Sequence, residues 1–232
     1  MIVGAAVVLP VSNPQKMQQG EVKMSEMVQY ERRAHWQGVY GAKAPGEVSW
    51  FQERPAVSLE LIEATGLSID ASILDVGAGA STLVDHLLGR GHSALAVLDI
   101  SEEALQHAQA RLGSDADRVR WIAADITRWR PEETVDLWHD RAVLHFLTAP
   151  EDQQAYADTL RATLKPCGWT IIAGFAPGGP LKCSGLEIVQ HDAESLTRLL
   201  GYEFELIDTR DEIHRTPWGA EQAFRYHLFW RG

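Results

Sequence analysis

The stretch Ser72-Ile73-Leu74-Asp75-Val76-Gly77-Ala78-Gly79-Ala80-Ser81-Thr82 constrains the fold more than any other part of the chain. Residues 73–76 are apolar apart from one carboxylate, the pattern of a strand covered on both faces. The glycine pair behind it lets the backbone turn sharply and pass close to a neighbour before a helix begins. Farther along, Ala96-Val97-Leu98-Asp99-Ile100 brings a second carboxylate to the same edge. A strand, a glycine turn, a helix and a second acid-tipped strand form the layout of a nucleotide pocket at the carboxyl end of a parallel sheet.

The rest of the chain extends this pattern. Strands are expected at 73–76, 94–98, 119–123, 135–138 and 169–173, alternating with helices at 81–89, 101–113 and 150–164. Ser101 caps its helix, with Glu102 and Glu103 where the helix dipole favours acids. A helix over 192–200 and strand-like runs at 203–208 and 223–230 close the chain. The expected fold is α/β: a Rossmann-like, doubly wound, mostly parallel seven-stranded sheet, helices on both faces, the last strand antiparallel. Residues 26–232 are expected to form one domain. Within it, 26–70 make an amino-terminal helical cap and 175–190 a lid-like loop. The cap contains a helix near 30–40, broken by Gly38 and Gly41, and another over 56–65 stopped by Gly66. Residues 1–25 are apolar at their start without a preceding positive charge, and are expected to be a poorly ordered extension.

Composition excludes several classes of function. A formal net charge of -11 is unsuited to a nucleic-acid backbone or an anionic membrane surface as the main partner. Cys167 and Cys183 are the only cysteines, too few for a disulfide framework or a zinc knuckle, so reduced thiols and a cytoplasmic location are expected.

The pocket has its own chemical logic. Asp75, Asp99 and, after the third strand, Asp125 put three carboxylates on one rim. Asp99 suits a ribose through two hydroxyl hydrogen bonds. Asp125 suits the exocyclic amine of adenine, with Ile100 and Ile126 as apolar plates for the ring. An acidic rim holds a pyrophosphate poorly, and Thr82 stands where a dinucleotide fold has its third glycine. A cofactor with an adenosine, no phosphate and a positive centre fits better, and S-adenosylmethionine has those features.

These residues make the chain similar to the class I S-adenosylmethionine-dependent methyltransferases, of the small bacterial methyltransferase-domain type. Asp75-Val76-Gly77-Ala78-Gly79-Ala80-Ser81 resembles their acidic-x-Gly-x-Gly-x-Gly turn, with Ser81 in place of the third glycine. Leu98-Asp99-Ile100-Ser101 resembles the ribose-binding strand end, and Ala124-Asp125-Ile126 the adenine contact. Val135-Asp136-Leu137-Trp138-His139-Asp140 resembles the fourth strand. Leu164-Lys165-Pro166-Cys167-Gly168-Trp169 resembles the turn into the fifth, with Cys167 where glycine is usual. The resemblance implies methyl transfer from S-adenosylmethionine and does not identify the acceptor; the helices before the first strand and the late loop suit a small molecule, and a monomer or homodimer is expected. A protein-lysine methyltransferase is the alternative, and a nicotinamide-dependent oxidoreductase or a non-catalytic adenosine-binding module is more distant.

In-line methyl transfer needs alignment and a dry site rather than a metal, so no metal is expected. Asp75, Gly77 and Gly79 are expected to border the methionine end of the cofactor, with Trp50 and Phe51 closing over it or serving as plain core contacts. Asp140, Arg141 and His145 are the candidate catalytic group: Asp140 or His145 to take a proton, Arg141 to hold an anionic group or pair with Asp140. A metal reading of His139, Asp140 and His145 requires convergence that strand alternation does not favour. Cys183 in the lid-like loop and the connection 214–219 are further candidates for walls of the acceptor site.

Overall fold

A computed structural model describes residues 14–232, with side chains from Glu26 onward. Residues 1–13 of the expected amino-terminal extension lie outside the described residues.

The described residues open with helix α1 (Pro14–Ala42), followed by α2 (Ala56–Ala64), and then alternate. The alternating elements are β1 (Ile73–Val76), α3 (Leu83–Gly89), β2 (Leu95–Asp99), α4 (Glu102–Leu112), β3 (Val119–Ala123), β4 (Val135–Arg141), α5 (Pro150–Thr163) and β5 (Leu164–Phe175). A two-stranded hairpin, β6 (Lys182–Cys183) with β7 (Leu186–Glu187), precedes α6 (Ala193–Leu200), β8 (Phe204–Arg215) and β9 (Glu221–Arg231). The main sheet has seven strands in the order β3-β2-β1-β4-β5-β9-β8. The pairs among β1 to β5 are parallel, and β9 runs antiparallel to both β5 and β8. The last strand is therefore the antiparallel one, as expected, and it is inserted inside the sheet rather than added at its edge.

All four residues of β1 are buried, as a strand covered on both faces requires. On one face Leu59 and Leu61 of α2 and Leu83 and Leu87 of α3 pack on Ile73, Leu137 and Ile171. On the other, Tyr156 and Leu160 of α5 and Leu196 and Leu200 of α6 pack on Leu74, Trp138 and Phe229. Strand order reverses between β1 and β4, so the crossovers leave in opposite directions and open a crevice at the carboxyl ends.

Three local expectations are corrected. Helix α1 continues through Gly38 and Gly41, because Trp36 and Tyr40 dock on the domain and offset the cost of about 1 kcal/mol that a helical glycine carries. The segment 175–190 is not wholly a loop, since the β6–β7 hairpin folds within it around Ser184 and Gly185, both at positive φ. Strand β4 continues to Arg141, which places His139, Asp140 and Arg141 in the strand itself. No helix among the described residues is long and apolar enough to cross a membrane.

Candidate active site

The crevice contains a cavity of about 760 Å³, counting its open mouth, lined by the ends of β1, β2 and β4 with α1 across the top. A second lobe of about 520 Å³ shares Trp50, Val76, Gly77 and Arg141 with the first, so these residues stand where the two meet.

The glycine turn is shaped by what crowds it. Gly77 has φ +60°, and a Cβ there would lie 1.8 Å from a methyl of Val143. Gly79 has φ +54°, and its Cβ would lie 2.2 Å from the Tyr40 hydroxyl. Neither position accepts a side chain without moving its neighbour. The turn is also braced from outside: Arg111 donates to the carbonyls of Ala80 and Ser81 and pairs with Asp85.

The three acids behave differently. Asp99 is buried and accepts the Gly79 N–H at 2.7 Å and the Ser101 N–H at 2.8 Å, one on each oxygen. Burial pushes its carboxyl up to about 6, against the opposing pull of those N–H groups. Each oxygen keeps a free lone pair for a hydroxyl donor. Asp75 accepts a hydrogen bond from His139 Nδ1 at 2.7 Å, while His139 Nε2 meets the Ser58 hydroxyl at 2.9 Å. The other Asp75 oxygen is buried with no hydrogen-bond partner among the described residues, a costly state for a carboxylate oxygen unless a donor reaches it. Asp125 accepts from the Thr127 N–H and hydroxyl and pairs with Arg32 of α1 at 3.1 Å. Ile100 and Ile126 line the larger lobe together with Asp125.

Helix α1 forms the roof. Arg32 bridges Asp125 and Asp152, Gln37 accepts from the Ser101 hydroxyl and the Glu103 N–H, and the Tyr40 hydroxyl accepts from the Trp50 indole at 3.1 Å. Trp36 stands edge-on to both Trp50 and Phe146, at 5.7 and 4.9 Å between centroids. Sequence reading missed Arg32, Trp36 and Tyr40 as site residues. A signal was present, for they recur every fourth position and share one helix face. Phe224 gave no such signal; it reaches the cavity only because β9 is threaded beside β5.

The candidate catalytic group is divided by strand alternation. Arg141 lines both lobes: its Nε donates to the Tyr226 hydroxyl, Nη1 donates to the Trp50 carbonyl, and the guanidinium lies 4.1 Å above the Phe224 ring. Asp140 points to the opposite face. It accepts the N–H groups of Val143 and Leu144 and the Tyr156 hydroxyl, pinning the turn after β4, and does not line either lobe. His145 is buried against Phe146 and Phe175, also behind the wall. His139, Asp140 and His145 therefore do not converge. Trp50 lines both lobes and Phe51 the smaller one, where Asp75 also lies. Cys183 reaches the larger lobe through the β6–β7 hairpin. The connection 214–219 does not line either lobe; His214 instead braces the Ser49 carbonyl at 2.6 Å, beside Trp50.

Residues 73–168 match the family model described as a methyltransferase domain. From β1 to the start of β5 the chain is thus similar to a methyltransferase domain. The chain is 32% identical over 106 residues to methyltransferase tpcM of Aspergillus fumigatus, which is 46% of this chain and 32% of that protein. The chain thus spans about a third of the length of the curated relative it matches. Among solved structures the methyltransferase fold is shared with 1,6-didemethyltoxoflavin-N1-methyltransferase of Burkholderia thailandensis, with bound 1,6-didemethyltoxoflavin and S-adenosylhomocysteine. That likeness has TM-score 0.59 and 21% identity, over 98% of this chain and 94% of that one. It is also shared with magnesium protoporphyrin IX methyltransferase of Synechocystis, with bound S-adenosylhomocysteine, at TM-score 0.60 and 20% identity, over 76% and 81% of the two chains. The residues of the matched span suit an adenosine with a charged amino-acid tail: Asp99 has lone pairs for two hydroxyls, Ile100 and Ile126 offer apolar surface, and the orphaned Asp75 oxygen suits an ammonium.

Proposed function

We propose that this chain is an S-adenosylmethionine-dependent methyltransferase acting on a small-molecule acceptor. The reading is carried by the orphaned Asp75 oxygen and the buried Asp99, set at opposite ends of one glycine turn. Asp99 takes the ribose hydroxyls, Ile100 and Ile126 flank the adenine, and Asp75, oriented by His139 and Ser58, receives the ammonium. When bound, the cofactor supplies an electrophilic methyl group on a cationic sulfur. Trp50 and Arg141, where the lobes meet, border the place where the acceptor approaches. The roof formed by α1 excludes water and encloses the acceptor, which favours a small molecule over a lysine presented on a protein surface. Asp125 enters the reading with a change, since Arg32 already pairs with it: the adenine amine either shares that carboxylate or displaces the guanidinium.

Calorimetry with S-adenosylhomocysteine tests this. Binding is expected, with Asp99→Asn weakening it at least about tenfold, the scale of one charge-assisted hydrogen bond. Equal affinity in wild type and variant, or preferential uptake of a nicotinamide dinucleotide, would overturn the assignment.

A further inference from the structure

Resting on that reading, we infer that the acceptor is a flat aromatic or heteroaromatic molecule bearing an oxygen that Arg141 binds. The walls of the larger lobe segregate by chemistry. Its carboxylates, Asp99 and Asp125, lie at the adenosine end. Its other walls include Trp36, Trp50, Phe146, Phe224 and Cys183, a connected aromatic group in which Arg141 meets the Trp50 carbonyl and the Phe224 ring. Burial pushes the Cys183 thiol up to about 11, so it stays neutral and adds to the apolar wall.

Ring geometry sets the shape of the ligand. Trp36 meets both Trp50 and Phe146 edge to face, at interplanar angles of 81° and 74°. Faces turned at steep angles around one space suit a planar ring system, which stacks on one wall while meeting the edges of another. Charge sets the polarity. An aromatic enclosure without a nearby cation would suit a quaternary ammonium, but the Arg141 guanidinium repels one. The Arg141 side chain is only 10% exposed, and its Nη2, buried and without a hydrogen-bond partner among the described residues, pairs only loosely with Glu212 at 3.7 Å. A ligand oxygen that reaches this nitrogen completes its hydrogen bonding, and guanidinium bonds to oxygens are among the stronger kinds. The Glu212 charge behind it offsets part of the attraction for an anion, so a phenolate, an enol or carbonyl oxygen, and a carboxylate are all served.

The test uses the full chain saturated with S-adenosylhomocysteine and follows tryptophan fluorescence and heat on adding hydroxybenzoate, hydroxynaphthoate and hydroxyanthracene carboxylate. Decalin carboxylate and benzyltrimethylammonium are the comparison probes. At least one hydroxyaryl acid is expected to bind and quench fluorescence, with Arg141→Gln weakening it about tenfold and Phe224→Leu weakening it with the guanidinium retained. S-adenosylhomocysteine affinity, measured in each variant, controls for folding. If the nucleoside binds but no aryl acid does, or if decalin carboxylate or benzyltrimethylammonium binds as tightly, the inference is overturned while the methyltransferase reading stands. If the nucleoside itself does not bind, the methyltransferase reading has failed and this inference fails with it.

Discussion

At the scale of single residues, His145 separates proximity from participation. Both its ring nitrogens are buried without a hydrogen-bond partner among the described residues. Burial, helped by the charges of Arg141 and His191, lowers its pKa from 6.5 to about 3. An unfolded His145 takes up a proton below 6.5 and the folded one does not until about 3, so stability is lost as pH falls through that window. Asp99 and Asp140 act in the opposite sense: their carboxyls rise from 3.8 to about 6, chiefly through burial, and favour the folded state as pH falls from 6 toward 4. His145→Phe keeps the ring contacts with Phe146 and Phe175 and removes the titration. Relative to wild type it is expected to gain about 2 kcal/mol at pH 5 beyond any difference at pH 7. Urea unfolding at the two pH values measures this, and an equal offset at both would refute it. The glycine turn was legible because positive φ and a close approach leave room for little else there. Asp140 and His145 were assigned a shared site from their density in sequence, a criterion blind to the strand face each residue occupies.

At the scale of elements, α1 is the part whose role depends most on contacts remote in sequence. Its apolar face is thin, and its glycines weaken it as an isolated helix. What holds it is a row of directed contacts, Arg32 to Asp125 and Asp152, Gln37 to Ser101, and Tyr40 to Trp50. Because Arg32 ties this roof to Asp125 and Asp152, Arg32→Ala is expected to speed amide exchange across residues 26–42 about tenfold, roughly 1.4 kcal/mol of lost protection. It is also expected to speed S-adenosylhomocysteine release. Exchange followed by mass spectrometry and stopped-flow displacement check both, and unchanged exchange in α1 would show that the aromatic contacts suffice. The β6–β7 hairpin is a similar case: Lys182 to Glu187 is too short a run for sequence periodicity to reveal, yet it carries Cys183 to the cavity.

For the whole molecule, the decisive feature is the insertion of β9 between β5 and β8. The final strand contributes Phe224, Tyr226, Leu228 and Phe229 to the buried core and joins β8 to the rest of the sheet. Ending the chain after Ala220 would strip β5 of its partner over seven residue pairs and leave β8 unattached. The truncated protein is expected to lose cooperative thermal unfolding and to aggregate through the exposed β5 edge. A truncated chain that melts cooperatively and still binds S-adenosylhomocysteine would show that β1 to β5 fold on their own.

Local chemistry was enough for the sequence by itself to determine the alternation of strands and helices, the glycine turn, the acid-tipped strand ends and the kind of cofactor they suit. A buried strand, a positive-φ turn and a helix cap each have signatures confined to a few neighbouring residues. Only the tertiary structure decided that Arg32 meets Asp125, that Arg141 rather than Asp140 or His145 faces the cavity, and that Phe224 completes its wall. Those outcomes depend on which strand face a residue occupies and on which distant segment the crossovers bring beside it, and neither is encoded within a short window of the chain.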